Sequence, residues 1–309
     1  MSDTTTSLAA TLQTQKVTGD FLLLLAERNA LPNHPALHYS GSVDAADSTT
    51  KRVPHFGLMG YDRPVAQGTE DADQAATAFS TSATDVAVVR HTKVYDSTDL
   101  LRMVQSSKAV GLNMLAMDAF AAYQLKLSEL MAAAAATFIT VVGTTAVDMT
   151  VAQALTAVGA LRIANVDASR GFMGLLHGYH WRDLVLDAGV GTLNDLHTAP
   201  GGALASMSVL RGGAFSGSWL GVDWFVSNFV PASGGDFAGG VFGYGGLTWA
   251  DGRNSGIALT SDQALLAEGR VLFERDRDGS AAVTEFVSHS YMGVTKALEA
   301  GVQLLADGA

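Results

Sequence analysis

The sequence predicts an α+β fold, and three observations carry the prediction. From Ser97 to Ala136 the chain has no Pro and places apolar residues at helical spacing. On both sides of that stretch, short apolar or alternating runs are separated by Gly, Pro, Asn and Asp, the signature of strands and turns. With 309 residues, 48% of them hydrophobic, a sizeable core is assured, as one large domain or two of about 150 residues.

Charge narrows the function classes. The chain has 19 Lys+Arg against 30 Asp+Glu, a formal −11, and charged residues make up only 16%, against about 25% in an average soluble domain. That is too few to cover an ordinary monomer. Either much of the surface is covered by something else, as in an assembly subunit, or it is rich in Ala, Gly, Ser and Thr. An acidic chain with six Lys lacks the basic stripe of a nucleic-acid reader, although a wall facing packaged nucleic acid can be acidic. Without Cys there are no disulfides, thiolate metal sites or cysteine nucleophile. Phe21 to Ala26 is a six-residue apolar run with no basic region before it, unlike a signal peptide. Leu130 to Val147 is mostly Ala, Thr and Gly, well short of a membrane span. A soluble, non-exported protein with no membrane partner is expected.

In chain order, residues 1–50 read as a polar arm with a short helix near Thr18 to Asn29. Val53 to Tyr61 and Asp85 to Tyr95 read as the two strands of a long hairpin, with Arg63, Glu70, Asp71 and Asp73 toward its tip. A hairpin so poor in aliphatics cannot form its own core and should lie on a neighbour. Ser97, Thr98 and Asp99 are good N-caps for the helix that follows. Leu112, Leu115, Ala116, Ala119, Tyr123, Leu127, Leu130 and Met131 form its apolar stripe; it would run about 55 Å, with Gly111 a candidate break. Next come a strand at Phe138 to Val142, a helix at Val151 to Ile163 begun by Thr150, a strand at Phe172 to Leu176 and a helix near Trp181 to Asp187. Trp219 to Ser227 alternates, placing Leu220, Val222, Trp224 and Val226 on one face. Phe237 to Trp249, with Phe242 and Tyr244, reads as its Gly-rich return strand. Packed together, these six residues are expected to form a sheet core. Asp278-Gly279, between Arg270 to Asp276 and Ala281 to Val287, signals another hairpin. Tyr291 to Ala306 fits helix or strand.

No chemistry-bearing motif emerges. The nearest approach to a nucleophile elbow, Ala214 to Ser218, lacks both outer Gly, and Gly189-Val190-Gly191 has Asn194 where a dinucleotide loop needs Gly. There is no phosphate loop. His177 and His180 have metal-ligand spacing but straddle Gly178 without a third ligand; His34, His38 and His289 share that weakness. The acidic sets Glu70, Asp71, Asp73 and Asp276, Asp278 do not continue to the terminal Glu of a calcium loop. Trp219, Trp224, Phe225, Phe229, Phe242, Tyr244 and Trp249 form an aromatic set suited to core, interface or pocket. No catalytic residue, cofactor or metal ligand is assigned.

The order of polar arm, hairpin, long helix, mixed body, aromatic strand pair and Asp-Gly hairpin resembles the major capsid protein family of tailed bacteriophages, whose fold is shared with encapsulins. Its most specific parts here are Phe215 to Pro231, a Gly-hydrophobic strand ending in Ser227-Asn228 and a Pro, and Gly239 to Trp249; Ser290 to Val294 with Gly301-Val302 is similar to the family's close. The resemblance implies a non-enzymatic shell subunit divided into an N-terminal arm (1–50), an extended loop (51–96), a spine helix and peripheral domain (97–140), an axial domain (141–259) and a return to the peripheral domain (260–309). It implies hexamers and pentamers of an icosahedral virion shell, assembled in the host cytoplasm around a double-stranded DNA genome contacted non-specifically. Scaffolding, portal and decoration proteins would be further partners, and Arg63, Glu70, Asp71 and Asp73 would touch the next subunit. An encapsulin-like compartment is the alternative within the fold, and an α/β hydrolase or ligand-binding protein the alternative outside it. No N-terminal segment is large enough to be a built-in scaffold of the kind some relatives carry.

Overall fold

The Pro-free stretch forms one continuous 28-residue helix, α1 (Lys108–Ala135), in a computed structural model that describes residues 34–44, 49–56, 81–98, 108–187, 215–233, 235–253, 263–266, 270–278 and 283–307. At the usual rise it is about 42 Å long, and Gly111 does not break it. Ala119, Tyr123, Leu127 and Met131 repeat every four residues and are buried. Strand β4 (Val89–Thr98) reaches through Ser97 and Thr98, the expected caps of the helix. Those two residues pair with Thr284 and Val283 instead of capping the helix; the β-branched Thr92, Val94 and Thr98 suit a ladder better than a cap. The expected helix within 18–29 lies outside the described residues.

Two sheets share α1. The six-stranded sheet contains β1 (His38–Asp44), β4, β11 (Leu247–Arg253), β12 (Gln263–Leu266), β13 (Val271–Asp278) and β14 (Val283–Lys296). Its axis is the 14-residue β14. Met292 pairs with Val89 of β4 and with Asp251 of β11, so these strands lie on opposite edges of β14, β13 pairing with its earlier residues. The seven-stranded sheet runs in the order β5 (Val141–Gly143), β15 (Gly301–Asp307), β10 (Asp236–Phe242), β6 (Phe172–Leu176), β8 (Val222–Val226) and β7 (Phe215–Trp219), with β9 (Ala232–Ser233) on β10. The closing stretch is therefore strand, not helix.

The seven-stranded sheet is the middle of three layers. On one face lies α2 (Val151–Ile163), whose Ala154, Ala157, Val158 and Leu161 meet Phe172, Leu176, Val222, Trp224, Val241, Val302 and Leu304. Thr150 caps α2 through a capping box with Gln153, satisfying two N-terminal donors. The other face packs under α1, where Met131, Ala135 and Phe138 meet Met173, Leu175, Phe225 and Phe242. Gly240 and Gly301 make that approach possible, since a methyl at Gly240 would press on the Ala135 carbonyl and one at Gly301 would overlap the Phe138 ring. Alternation along β6 thus feeds both cores, as expected of a strand covered on both sides.

The aromatic strand pair differs from expectation. Trp219 to Ser227 is not one strand: Leu220 and Gly221 have φ of +58° and +76° and form the two-residue turn between β7 and β8. Positive φ at both central positions matches the twist of the flanking strands. Leu220 is therefore a turn residue, half-buried at the margin of the core that holds Val222 and Trp224. Phe237 to Trp249 also divides, into β10 and β11, with Tyr244 in the turn between them. β6 separates β10 from β8, so Phe242 packs on the α1 side while Val222 and Trp224 face α2. Val226 is half-buried at the end of β8.

The second strand of the expected hairpin ends earlier than the sequence suggests. β2 (Thr50–Phe56) pairs with β3 (Thr81–Ala87), and after Val88 the chain joins the six-stranded sheet as β4. The base is held by its own subunit, because Val53 and Val86 bury against Ala250 and a side chain at Gly293 would overlap the Ala87 carbonyl. Arg63, Glu70, Asp71 and Asp73 lie outside the described residues.

Candidate functional site

Among the described residues no group of His and acidic side chains is arranged to hold a metal ion, and no helix is long and apolar enough to cross a membrane. Three other constellations stand out.

The first fixes residues 34–44 to the rest of the fold. Ala36 and Leu37 enter the α1-side core, and β1 adds in parallel to β11. His34 is buried and lies across the Asp223–Phe225 face of β8, its ring edge-on to Phe225. Its Nδ1 accepts the Ala36 backbone N–H at 3.1 Å, so Nε2 carries the proton and donates to Asp223 Oδ2 at 2.9 Å. The other Asp223 oxygen accepts from Ser218 Oγ. The His34 hydrogen bond, with that of Ser218, holds the Asp223 carboxyl below its ordinary range against the opposing effect of burial. Farther along, Tyr39 donates to Asp251 Oδ1 at 2.6 Å, and Arg270 Nε lies 2.7 Å from Oδ2 of that fully buried carboxylate. Here β1, β11 and Arg270, just before β13, meet around one carboxylate. Because the Asp223 pKa is lowered, its contribution to holding His34 and the residues after it is complete above pH about 4 and is lost as pH falls through the lowered value. Asp223→Asn should therefore loosen residues 34–37 at neutral pH and flatten this acid dependence, read as faster proteolysis near residue 34. Equal cleavage of parent and variant from pH 7 to pH 3 would exclude the role.

The second constellation contains the H-x-x-H pair. His177 follows β6, and α3 (residues 178–187) starts immediately after it. His177 stacks on Phe237 with ring centroids 3.6 Å apart and planes 4° apart, whereas His180 meets the same ring edge-on at 6.2 Å. The two imidazoles grip one phenyl ring rather than share a ligand. Sequence spacing could not reveal this, because Phe237 arrives from β10, sixty residues away. Among the other candidates, His38 contacts Thr248 and Tyr244. His289 lies between Thr92 and Glu274, and Asp276 and Asp278 are ladder residues of β13.

The third constellation is an outer apolar surface. α2 turns Leu155 (56% exposed) and Ile163 (84%) away from the sheet, eight residues apart and hence on one side of the helix. Ile139 (77%) and Val141 (47%) lie at the neighbouring edge strand β5, and Leu186 (71%) is on α3. Single exposed apolar residues are ordinary, but several on adjoining elements make this side of the fold a candidate contact surface. The sequence did not single these residues out: a helix stripe reveals which residues are apolar, but not which face the sheet takes.

No family model matches the chain, and no curated protein does. Solved structures do. The capsid of Ralstonia phage GP4 superposes with a TM-score of 0.62 at 8% identity, covering 90% of this chain and 89% of that one. A Mycobacterium phage Che8 chain gives 0.54 at 15% identity over 84% and 85%. The holo-SrpI encapsulin complex of Synechococcus elongatus gives 0.52 at 13% identity, covering 100% and 96%. The α+β fold of this chain is the one found in phage capsids and in an encapsulin, as the resemblance implied.

Proposed function

We propose that the chain is a non-enzymatic shell subunit that assembles into hexamers and pentamers of an icosahedral phage capsid enclosing double-stranded DNA. The observation that carries this reading is the exposed apolar surface on α2, α3 and the β5 edge, set on a capsid fold that spans nearly the whole chain. A chain with 16% charged residues needs that surface covered to stay soluble, and copies of itself would cover it. In this reading residues 1–50 are the arm, 51–96 the extended loop and 97–140 with 260–309 the peripheral region. Residues 141–259 are the axial region, bearing most of the copy-to-copy contact. Arg63, Glu70, Asp71 and Asp73 touch the next subunit. The acidic balance suits a wall that must not adhere to the DNA inside it. Scaffolding, portal and decoration proteins are its other partners, and assembly takes place in the host cytoplasm before the virion is released.

The encapsulin likeness, which covers the full chain, favours a second reading, a protein compartment holding protein cargo. Light scattering and electron microscopy of the purified protein, with co-expressed scaffold, test the shell itself. Megadalton closed particles are expected; monomers or dimers of the 32.1 kDa chain under all such conditions would refute the reading. Nuclease-protected DNA in particles from infected cells supports the capsid, and protein cargo in its place supports the compartment.

A further inference from the structure

The H-x-x-H pair has no part in the shell reading, yet its placement is unusual. His180 is fully buried beneath α3. Its Nε2 lies 3.4 Å from the Ala306 carbonyl of β15, and its Nδ1 is buried without a hydrogen-bond partner. Nδ1 faces the β10 backbone, 3.6 Å from where a Cβ on Gly239 would stand, an ordinary contact distance; what excludes a side chain at Gly239 is the Leu175 carbonyl, 2.5 Å from that point. The site suits a neutral imidazole, with Nε2–H donating to one carbonyl. An imidazolium would add a second N–H and a full charge where no water reaches.

Among the charged neighbours only Asp183 favours a protonated His180, and burial outweighs it. On its own element, Asp183 is buried; its Oδ1 takes both Arg182 Nε at 2.9 Å and a terminal nitrogen at 2.8 Å, while its Oδ2 is buried without a partner, so its charge works against the neutral state of His180. His177 would add like charge. From β10, Phe237 presents its ring and Asp236 at the strand end accepts the Ala146 N–H at 2.7 Å. From β15, Ala306 presents its carbonyl, and Asp307 follows at the strand end. Burial, the largest effect, and the like charge of His177 leave the His180 pKa below its ordinary value against the Ala306 carbonyl, the Asp183 charge and the Phe237 backbone, which all favour the proton; burial lowers that of His177 as well.

What α3 holds makes this placement consequential. Asp187 at its end accepts the Val151 N–H at 2.7 Å, the first residue of α2. Trp181 of α3 packs against the α2-side core. We propose that His180 is an acid-released latch: neutral, it holds α3 on β10 and β15; on taking up a proton, it frees α3 and, through Asp187, loosens the start of α2. The sign follows from linkage. A histidine with a lowered pKa in the closed state stabilises closure fully above its ordinary pKa of about 6.5, and that stabilisation is lost as pH falls toward the lower value. That α2 carries an assembly contact rests on the shell reading, but the latch does not.

Hydrogen exchange of the purified full-length chain between pH 7.5 and pH 5, corrected for intrinsic exchange at each pH, tests it. Protection over 178–187 should fall by up to about tenfold per pH unit below pH 6.5 and then level off. His180→Gln, which keeps a donor for Ala306 but cannot titrate, should show no such fall. Should that variant not fold, the His180 ring carbon resonance of the parent, labelled at histidine, should titrate below the ordinary value and in step with the loss of protection. Unchanged protection, an identical fall in His180→Gln, or protection that rises in acid through a His180–Asp183 ion pair would each overturn the latch. Particle size measured on the same samples keeps the two ideas apart. Particles without the pH response remove the latch alone, and the response without particles removes the shell alone.

Discussion

Trp224→Ala should cost about 3–5 kcal/mol and yield protein that is insoluble or cannot assemble. The side chain is fully buried against Val222, Phe172 and Val158 in the α2-side core, and its indole N–H donates to the Trp219 carbonyl at 3.1 Å. Truncation would open a large cavity and leave that carbonyl without its donor, a loss comparable to the whole stability of a marginal domain. The packing also names its compensating partner. The indole lies flat against Gly174 of β6, where a methyl group would overlap the ring. Gly174→Ala alone should destabilise by about 1–3 kcal/mol, whereas in the Trp224→Ala background it should cost little, because the obstruction is gone. Urea titration of the four proteins of that cycle measures the coupling. A soluble Trp224→Ala protein of unchanged melting temperature would instead favour the aromatic set as a ligand pocket, and additivity in the cycle would deny the contact.

How much of this was legible in the sequence varies with the range of the interaction that decides it. The start of α2 was readable at Thr150 because a capping box is closed within three residues. The stripe Ala119, Tyr123, Leu127 and Met131 was readable because helical spacing is local. Leu220 was not: alternation alone put it in a strand, and only the pairing of β7 with β8 makes it a turn residue at positive φ. The partner of β8 was misread for the same reason, since β6 comes from fifty residues upstream to lie between it and β10. Ser97 and Thr98 looked like caps because the β14 strand they pair with lies nearly 190 residues away. At the candidate site, low charge pointed to a covered surface. Which residues form that surface depends on the side α2 presents to the sheet, a tertiary fact.

The second large effect is expected on that surface. Leu155→Glu combined with Ile163→Glu should abolish closed particles while leaving a folded subunit. Leu155 and Ile163 are 56% and 84% exposed in the single chain, so a carboxylate at either position stays hydrated and should shift subunit stability by no more than about 0.5 kcal/mol. In a shell the same positions would be dry, and an unpaired carboxylate driven into an apolar contact costs several kcal/mol. Each copy in a ring repeats that cost, and closure needs every contact, so a penalty modest for one pair is decisive for the particle. Ile163→Val, which trims the side chain but keeps it apolar, should still assemble. Size-exclusion chromatography with light scattering would show the double variant as a subunit of ordinary size with the parent's melting temperature. Particles of normal size from it would mean that this surface faces solvent in the assembly, and the contact between copies would have to lie elsewhere, with the hairpin between β2 and β3 the next place to test.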